Sequence, residues 1–317
     1  AAAAISAGAL VVMTGGAALP AMQLSMGAAL TAGSAAIVGG SAVSAAAQRA
    51  QARGAPVSDF AIRPLPGLEC RRARAGILVS GWLGEDEEPA ALWAGALRSS
   101  RQRVTREWHA LKWETARLRA LGAWMNEPVG FRPALFAAAR GVRSAVGRAV
   151  GGAIDDPFSD VGTRAEAVGE MLAELLRARA PKRPVALVGY GHGAKVVFVC
   201  LRELAKGDEG RGIVDSALLL GAPVHATAAE WAAARSAVAG KLTNCFCSTD
   251  AILTHRPSVL SLAALDGRVQ AAGVSHVRAH GVRDVDLSLT CKPRGGRTYA
   301  DYRGQLAEAL AAAEFEP

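Results

Sequence analysis

The 317 residues are 51% hydrophobic and 20% charged, which excludes a disordered chain and allows one large core or two smaller ones. Alanine and glycine carry much of that apolar fraction and aromatics supply only 5%, so each residue buries little area. The net charge of +8 suits an anionic surface or an acidic partner. No zinc-finger spacing or aromatic-plus-basic RNA motif accompanies the arginines, so no nucleic-acid partner is expected.

Residues 1–48 hold no Asp, Glu, Lys or Arg, and the first charge is Arg49. Pro20 divides this stretch into two segments, each approaching the roughly 20 residues that span a bilayer. Gly27 with Thr31, and Ala35 with Gly39, have the small-xxx-small spacing that lets helices approach closely. The stretch reads as an Ala/Gly-rich helical hairpin inserted in a membrane. A buried hairpin packed on protein, or a linker, is the plainer alternative. Position 1 is alanine rather than methionine, so the chain reads as processed or partial.

Residues 49–75 are Arg-rich and broken by Pro56, Pro64 and Pro66, which predicts a linker and a first edge strand. From residue 76 to 317 strands and helices alternate. Gly76–Trp82 reads as a buried strand entering a loop, and Glu107–Trp113 alternates like a strand. Residues 115–155 read as a basic helical insert, broken near Pro128 and Pro133. Asp156-Pro157 marks a turn, and 160–180 a helix. Arg183–Val188 is the next buried strand, and Ala194–Cys200 the helix leaving it. Ile213–Leu220, Leu242–Cys247 and Val274–Val282 supply further strands, with a helix around Trp231 and a last one from about Tyr299 to Ala313. The alternation predicts an α/β fold, a mostly parallel sheet with helices on both faces.

Five cysteines, odd in number and irregular in spacing, predict neither a disulfide framework nor a metal site and fit a reducing compartment.

The sharpest feature is Gly189-Tyr190-Gly191-His192-Gly193, set between a predicted strand and a predicted helix. That is the setting of the nucleophile elbow G-x-S-x-G, where a strained turn exposes a serine oxygen. Here the central residue is Gly191, which has no nucleophile. Gly189, Gly191 and Ala194 also satisfy the loose dinucleotide fingerprint. Its ribose-binding acid should close the next strand, but that strand ends Leu219-Leu220-Gly221-Ala222-Pro223, with Asp215 at the wrong end. No nucleotide and no other cofactor is expected.

Several ordered fragments together resemble one family. They are Ser80-Gly81-Trp82-Leu83, Leu111-Lys112-Trp113-Glu114, Arg183–Tyr190, Leu219–Val224, Glu230-Trp231 with Ala234-Arg235-Ser236, Asn244, and Asp301-Tyr302-Arg303. The set, over about 60–313, resembles the α/β-hydrolase family of transmembrane and coiled-coil domain-containing protein 4. The resemblance implies an α/β-hydrolase-like fold behind a membrane-associated hydrophobic region. It also implies an elbow of the form Gly-Tyr-Ser-Leu-Gly, so Gly191 stands at a degenerate nucleophile position. Asp250 falls where the family acid lies, as a relic acid or simply a loop anchor. The family histidine falls near Tyr299, where this chain has none. His192 and the Gly81-Trp82 loop would supply any surviving oxyanion-hole N–H groups. His192 itself reads as a packed polar neighbour of the elbow, and His225 as a loop residue at the ligand-binding end of the sheet. His276 and His280 read as strand positions.

The expectation is a membrane-associated pseudo-hydrolase, a scaffold or interaction subunit whose partners are membrane lipid, other protein subunits or both. A rearranged, active esterase or lipase-like hydrolase is the alternative.

Overall fold

The computed structural model describes residues 57–68, 72–98, 105–126, 157–178, 183–255, 270–292 and 299–315. The predicted N-terminal hairpin and most of the basic insert lie outside the described residues.

Seven strands form one sheet in the order β1-β3-β2-β4-β5-β6-β7. They are β1 (Phe60–Pro64), β2 (Ala75–Val79), β3 (Glu107–Trp113), β4 (Val185–Tyr190), β5 (Val214–Leu220), β6 (Leu242–Phe246) and β7 (Val282–Asp286). Only β1 runs antiparallel, pairing Phe60 with Trp113 and Pro64 with His109 at the sheet edge. Every residue of β2 and β4 is buried, as a parallel sheet covered on both faces requires. This is an α/β-hydrolase-like fold.

The helices are α1 (Pro89–Leu97), α2 (Thr115–Asn126), α3 (Pro157–Ala178), α4 (His192–Leu204), α5 (Ala228–Ser236), α6 (Ala251–His255) and α7 (Leu306–Ala312). Helix α4 leaves the central strand β4 and packs on α3. It sits hard against the sheet, because a Cβ on Gly193 would stand 2.1 Å from the Val79 carbonyl oxygen. Thr227 and Glu230 form a reciprocal capping box that starts α5. Among the described residues no helix is long and apolar enough to cross a membrane.

Three sequence expectations need correction. Residues 272–275 form a turn rather than a strand, so neither His276 nor His280 lies on one; the strand begins at Val282. Here Asp284 takes the backbone N–H groups of Val277 (3.1 Å) and Arg278 (3.2 Å), and Arg278 has φ 55°. An extended strand cannot accommodate that curl. The last helix also starts later than expected. Tyr299 precedes it in an irregular segment, a 3-10 turn covers Arg303–Gln305, and α7 begins at Leu306. Finally, α3 begins at Pro157 rather than at residue 160, since proline at a helix start has no N–H to leave unpaired, while the turn expected at Asp156 lies outside the described residues.

Candidate functional site

The site lies at the C-terminal ends of the strands, where open α/β sheets bind ligands. The elbow follows β4. Gly191 has φ 54° and ψ −127°, a conformation costly for any residue with a Cβ, and it caps α4. Its N–H donates to the Leu220 carbonyl at 2.8 Å, and its own carbonyl accepts from Ala194 at 3.0 Å. The backbone of a nucleophile elbow is therefore present around a residue with no side chain.

The turn after β2 lies directly against it. A Cβ on Gly81 would stand 2.0 Å from the Tyr190 carbonyl oxygen and 2.8 Å from the His192 nitrogen, so only glycine fits. Trp82 follows. Its ring meets Tyr190 edge to face at 4.8 Å between centroids and Tyr299 at 5.8 Å. The Tyr190 hydroxyl donates to the Trp82 carbonyl. Burial pushes that phenol's pKa up, so it remains a neutral donor.

Asp250 follows β6, and its carboxylate is consumed by backbone. Oδ1 accepts the Leu253 N–H and Oδ2 the Ala300 N–H, each at 3.0 Å. Burial pushes its pKa up to about 6, with the Leu253 and Ala300 N–H groups pulling the other way. Ala300 belongs to the segment after β7, which is where a hydrolase histidine would enter. No histidine occurs after His280. Tyr299 stands there, and its hydroxyl donates to Asn126 Oδ1 at 3.1 Å.

Trp82, Gly191, His192, Asp250 and Tyr299 thus line one cavity, with Met125, Phe158, Pro223, Leu253 and Tyr302 among its other walls. The free space is about 20 Å³, enough for about one water. Neighbouring His192 meets Phe158 edge to face at 4.3 Å. His225 does not line this cavity. It is half-buried, and burial, then the Lys195 ammonium, hold its imidazole below the usual range. Among the described residues no cluster of His, Cys, Asp or Glu could hold a metal ion.

The dinucleotide alternative gains nothing. Asp215 lies at the N-terminal end of β5, ion-paired with Arg106 at 2.7 Å. One feature of the site escapes sequence reading altogether, namely that Trp82 packs on Gly191 itself. A Cβ there would stand 2.5 Å from the indole Cζ3. The Ser80-Gly81-Trp82 fragment marks the loop, but nothing in it reports where the ring points.

The model of a family described as protein of unknown function, DUF726, matches residues 1–316. An uncharacterized membrane protein of Caenorhabditis elegans is 31% identical, over 80% of this chain and 42% of its own length. The transmembrane and coiled-coil domain-containing protein STS1 of rice (Oryza sativa subsp. japonica) is 30% identical, over all of this chain and 52% of its own. The probable lipase MIL1 of Saccharomyces cerevisiae is 27% identical, over 73% of this chain and 22% of its own. The chain therefore spans about half the length of the first of these relatives or less. Among solved structures, an esterase of Thermogutta terrifontis phosphoramylated by tabun covers 81% of this chain and 89% of its own, with 12% identity and a TM-score of 0.30. That likeness is too slight to define the fold, which the strand order defines.

Proposed function

The chain belongs to the DUF726 family, and from that membership we propose that it is a membrane-associated pseudo-hydrolase, acting as a scaffold or interaction subunit toward lipid, other protein subunits or both. The observation that carries this reading is the elbow. Gly191 holds the strained nucleophile conformation without a hydroxyl, and no histidine follows β7.

A serine triad works because imidazole takes the hydroxyl proton while the acid orients the ring. This chain offers neither hydroxyl nor ring at those places. Asp250 is read as the remaining acid, and its two oxygens accept the backbone N–H groups of Leu253 and Ala300. A surviving oxyanion hole without nucleophile or base gives on the order of 10³–10⁴-fold over water, far below a working hydrolase. Membrane association is supported by the charge-free residues 1–48 and by the names of two relatives, a membrane protein and a transmembrane protein.

A serine-directed fluorophosphonate tests the proposal on the purified chain. No labelling is expected. Strong labelling lost on substitution of one serine would overturn the proposal and favour the active hydrolase suggested by the name of the yeast relative, a probable lipase. Gly191→Ser alone is expected to give no turnover, because the sequence has no histidine after β7, where the family's would lie.

A further inference from the structure

The elbow has kept its backbone and lost its side chain, and the space is filled. A Cβ on Gly191 would stand 2.5 Å from Cζ3 and 2.9 Å from Cε3 of Trp82, closer than real Cβ contacts come. The six-membered half of the indole therefore occupies the direction in which a nucleophile would project. Two tyrosine edges hold the ring there, Tyr190 and Tyr299. It is 5% exposed, and its Nε1–H has no hydrogen-bond partner among the described residues.

We propose that Trp82 is the chain's own occupant of the nucleophile position. The indole and any side chain at residue 191 exclude each other, and the ring closes the cleft against acyl substrates. This rests on the pseudo-hydrolase reading and adds a second, steric block to the missing chemistry. Little room remains beside the ring, with about 20 Å³ free for water-sized occupants among the described residues. Restoring a serine would therefore require the ring to move as well as an imidazole to be supplied.

A second cause could oppose a side chain at 191, namely the positive φ of 54°. Strain belongs to the backbone and is indifferent to residue 82, whereas exclusion is not. A double-mutant cycle separates them. Gly191→Ala is made in the wild-type chain and in Trp82→Leu, which lacks the clashing ring atoms, and urea midpoints are read for all four proteins. Exclusion predicts a midpoint shift in the wild-type background at least about twice that in the Trp82→Leu background. Folding of the double variant where Gly191→Ala alone does not fold would support the proposal still more strongly. Equal shifts, or failure of Gly191→Ala to fold in either background, overturn it. Trp82→Met replaces Trp82→Leu if the latter does not fold. The two readings fail separately. Equal shifts remove the occupancy and leave the pseudo-hydrolase intact, while fluorophosphonate labelling of the wild-type chain removes the pseudo-hydrolase itself.

Discussion

Asp250 is 4% exposed, and that burial pushes its pKa from the ordinary 3.8 up to about 6 against the pull of its backbone N–H partners. A carboxyl whose folded pKa is raised binds its proton more tightly in the folded chain than in the unfolded one. Its contribution to stability is then complete below about pH 4 and is lost as pH rises through about 6, at most about 3 kcal/mol over the whole window. Asp250→Asn carries no such proton. Urea denaturation between pH 4 and 7 is expected to show a fall in wild-type stability across that window that the variant lacks. Parallel curves would mean that the carboxyl stays ionised throughout, as an acid held ready for a histidine would be. The contrast isolates Asp250, because His109, whose buried imidazole is held below its usual pKa, contributes the opposite slope equally to both proteins.

At the scale of elements, Glu114 joins pieces far apart in the chain. It follows β3 directly, with φ 41° and a buried side chain. It accepts the Ser58 N–H at 2.9 Å and the Ser58 hydroxyl at 2.8 Å, and pairs with Arg117 at 3.0 Å and Arg164 at 3.4 Å. One carboxylate thus ties the approach to β1, helix α2 and helix α3. Glu114→Gln removes the charge and keeps the shape. A loss of about 1–3 kcal/mol is expected by urea titration, discounted because both arginines are partly exposed. A smaller element is worth about 1 kcal/mol: Thr227→Ala, which deletes the α5 capping box, measured the same way.

These elements also mark what the sequence could and could not reveal. Strands β2, β4 and β5 were legible because buried parallel strands read as short apolar runs between turn residues, and β3 by its alternation. The elbow was legible because its glycines crowd within five residues. Val274–Val282 misled because alternation of apolar and polar residues also arises in a loop whose turns are pinned by one distant carboxylate, here Asp284. The missing histidine needed only a list of six positions, since absence from a segment is a sequence fact. Trp82 on Gly191 was not legible. Contact between residues on two different loops depends on rotamers and on how close the loops come.

Across the whole molecule, the two ends of the sheet are built from different chemistry. Among the described residues the C-terminal end holds a small cavity walled mainly by aromatic and aliphatic side chains, Trp82, Tyr299 and Tyr302 among them, with Asp250 and His192. The N-terminal end carries ions. Arg106, 1% exposed, reaches Asp215 at 2.7 Å and links the start of β3 to the start of β5 past the two strands between them. Beside it Arg183 meets Glu107 at 2.7 Å, and Glu107 lies 3.6 Å from the His109 ring. Fragments that carry the family resemblance make polar ties elsewhere in the sheet: Trp113 donates to the Ser80 carbonyl at 3.0 Å, Asn244 donates to Asp284 at 2.9 Å, and Arg303 pairs with Glu87 at 3.0 Å. The buried ions at the N-terminal end should weigh heavily in the chain's stability. Taking Asp215 away leaves the Arg106 guanidinium buried and unpaired, with its Nε already lacking a partner among the described residues. Asp215→Asn is therefore expected to cost about 2–4 kcal/mol, somewhat below the value for a fully buried pair because Asp215 is 20% exposed. The double variant Arg106→Met with Asp215→Asn removes the stranded charge and should recover at least half of that loss. If the double variant is instead less stable than Asp215→Asn, the guanidinium is anchored by the Ala75 carbonyl and its packing rather than by the ion pair, and urea midpoints of the three variants against wild type decide between the two.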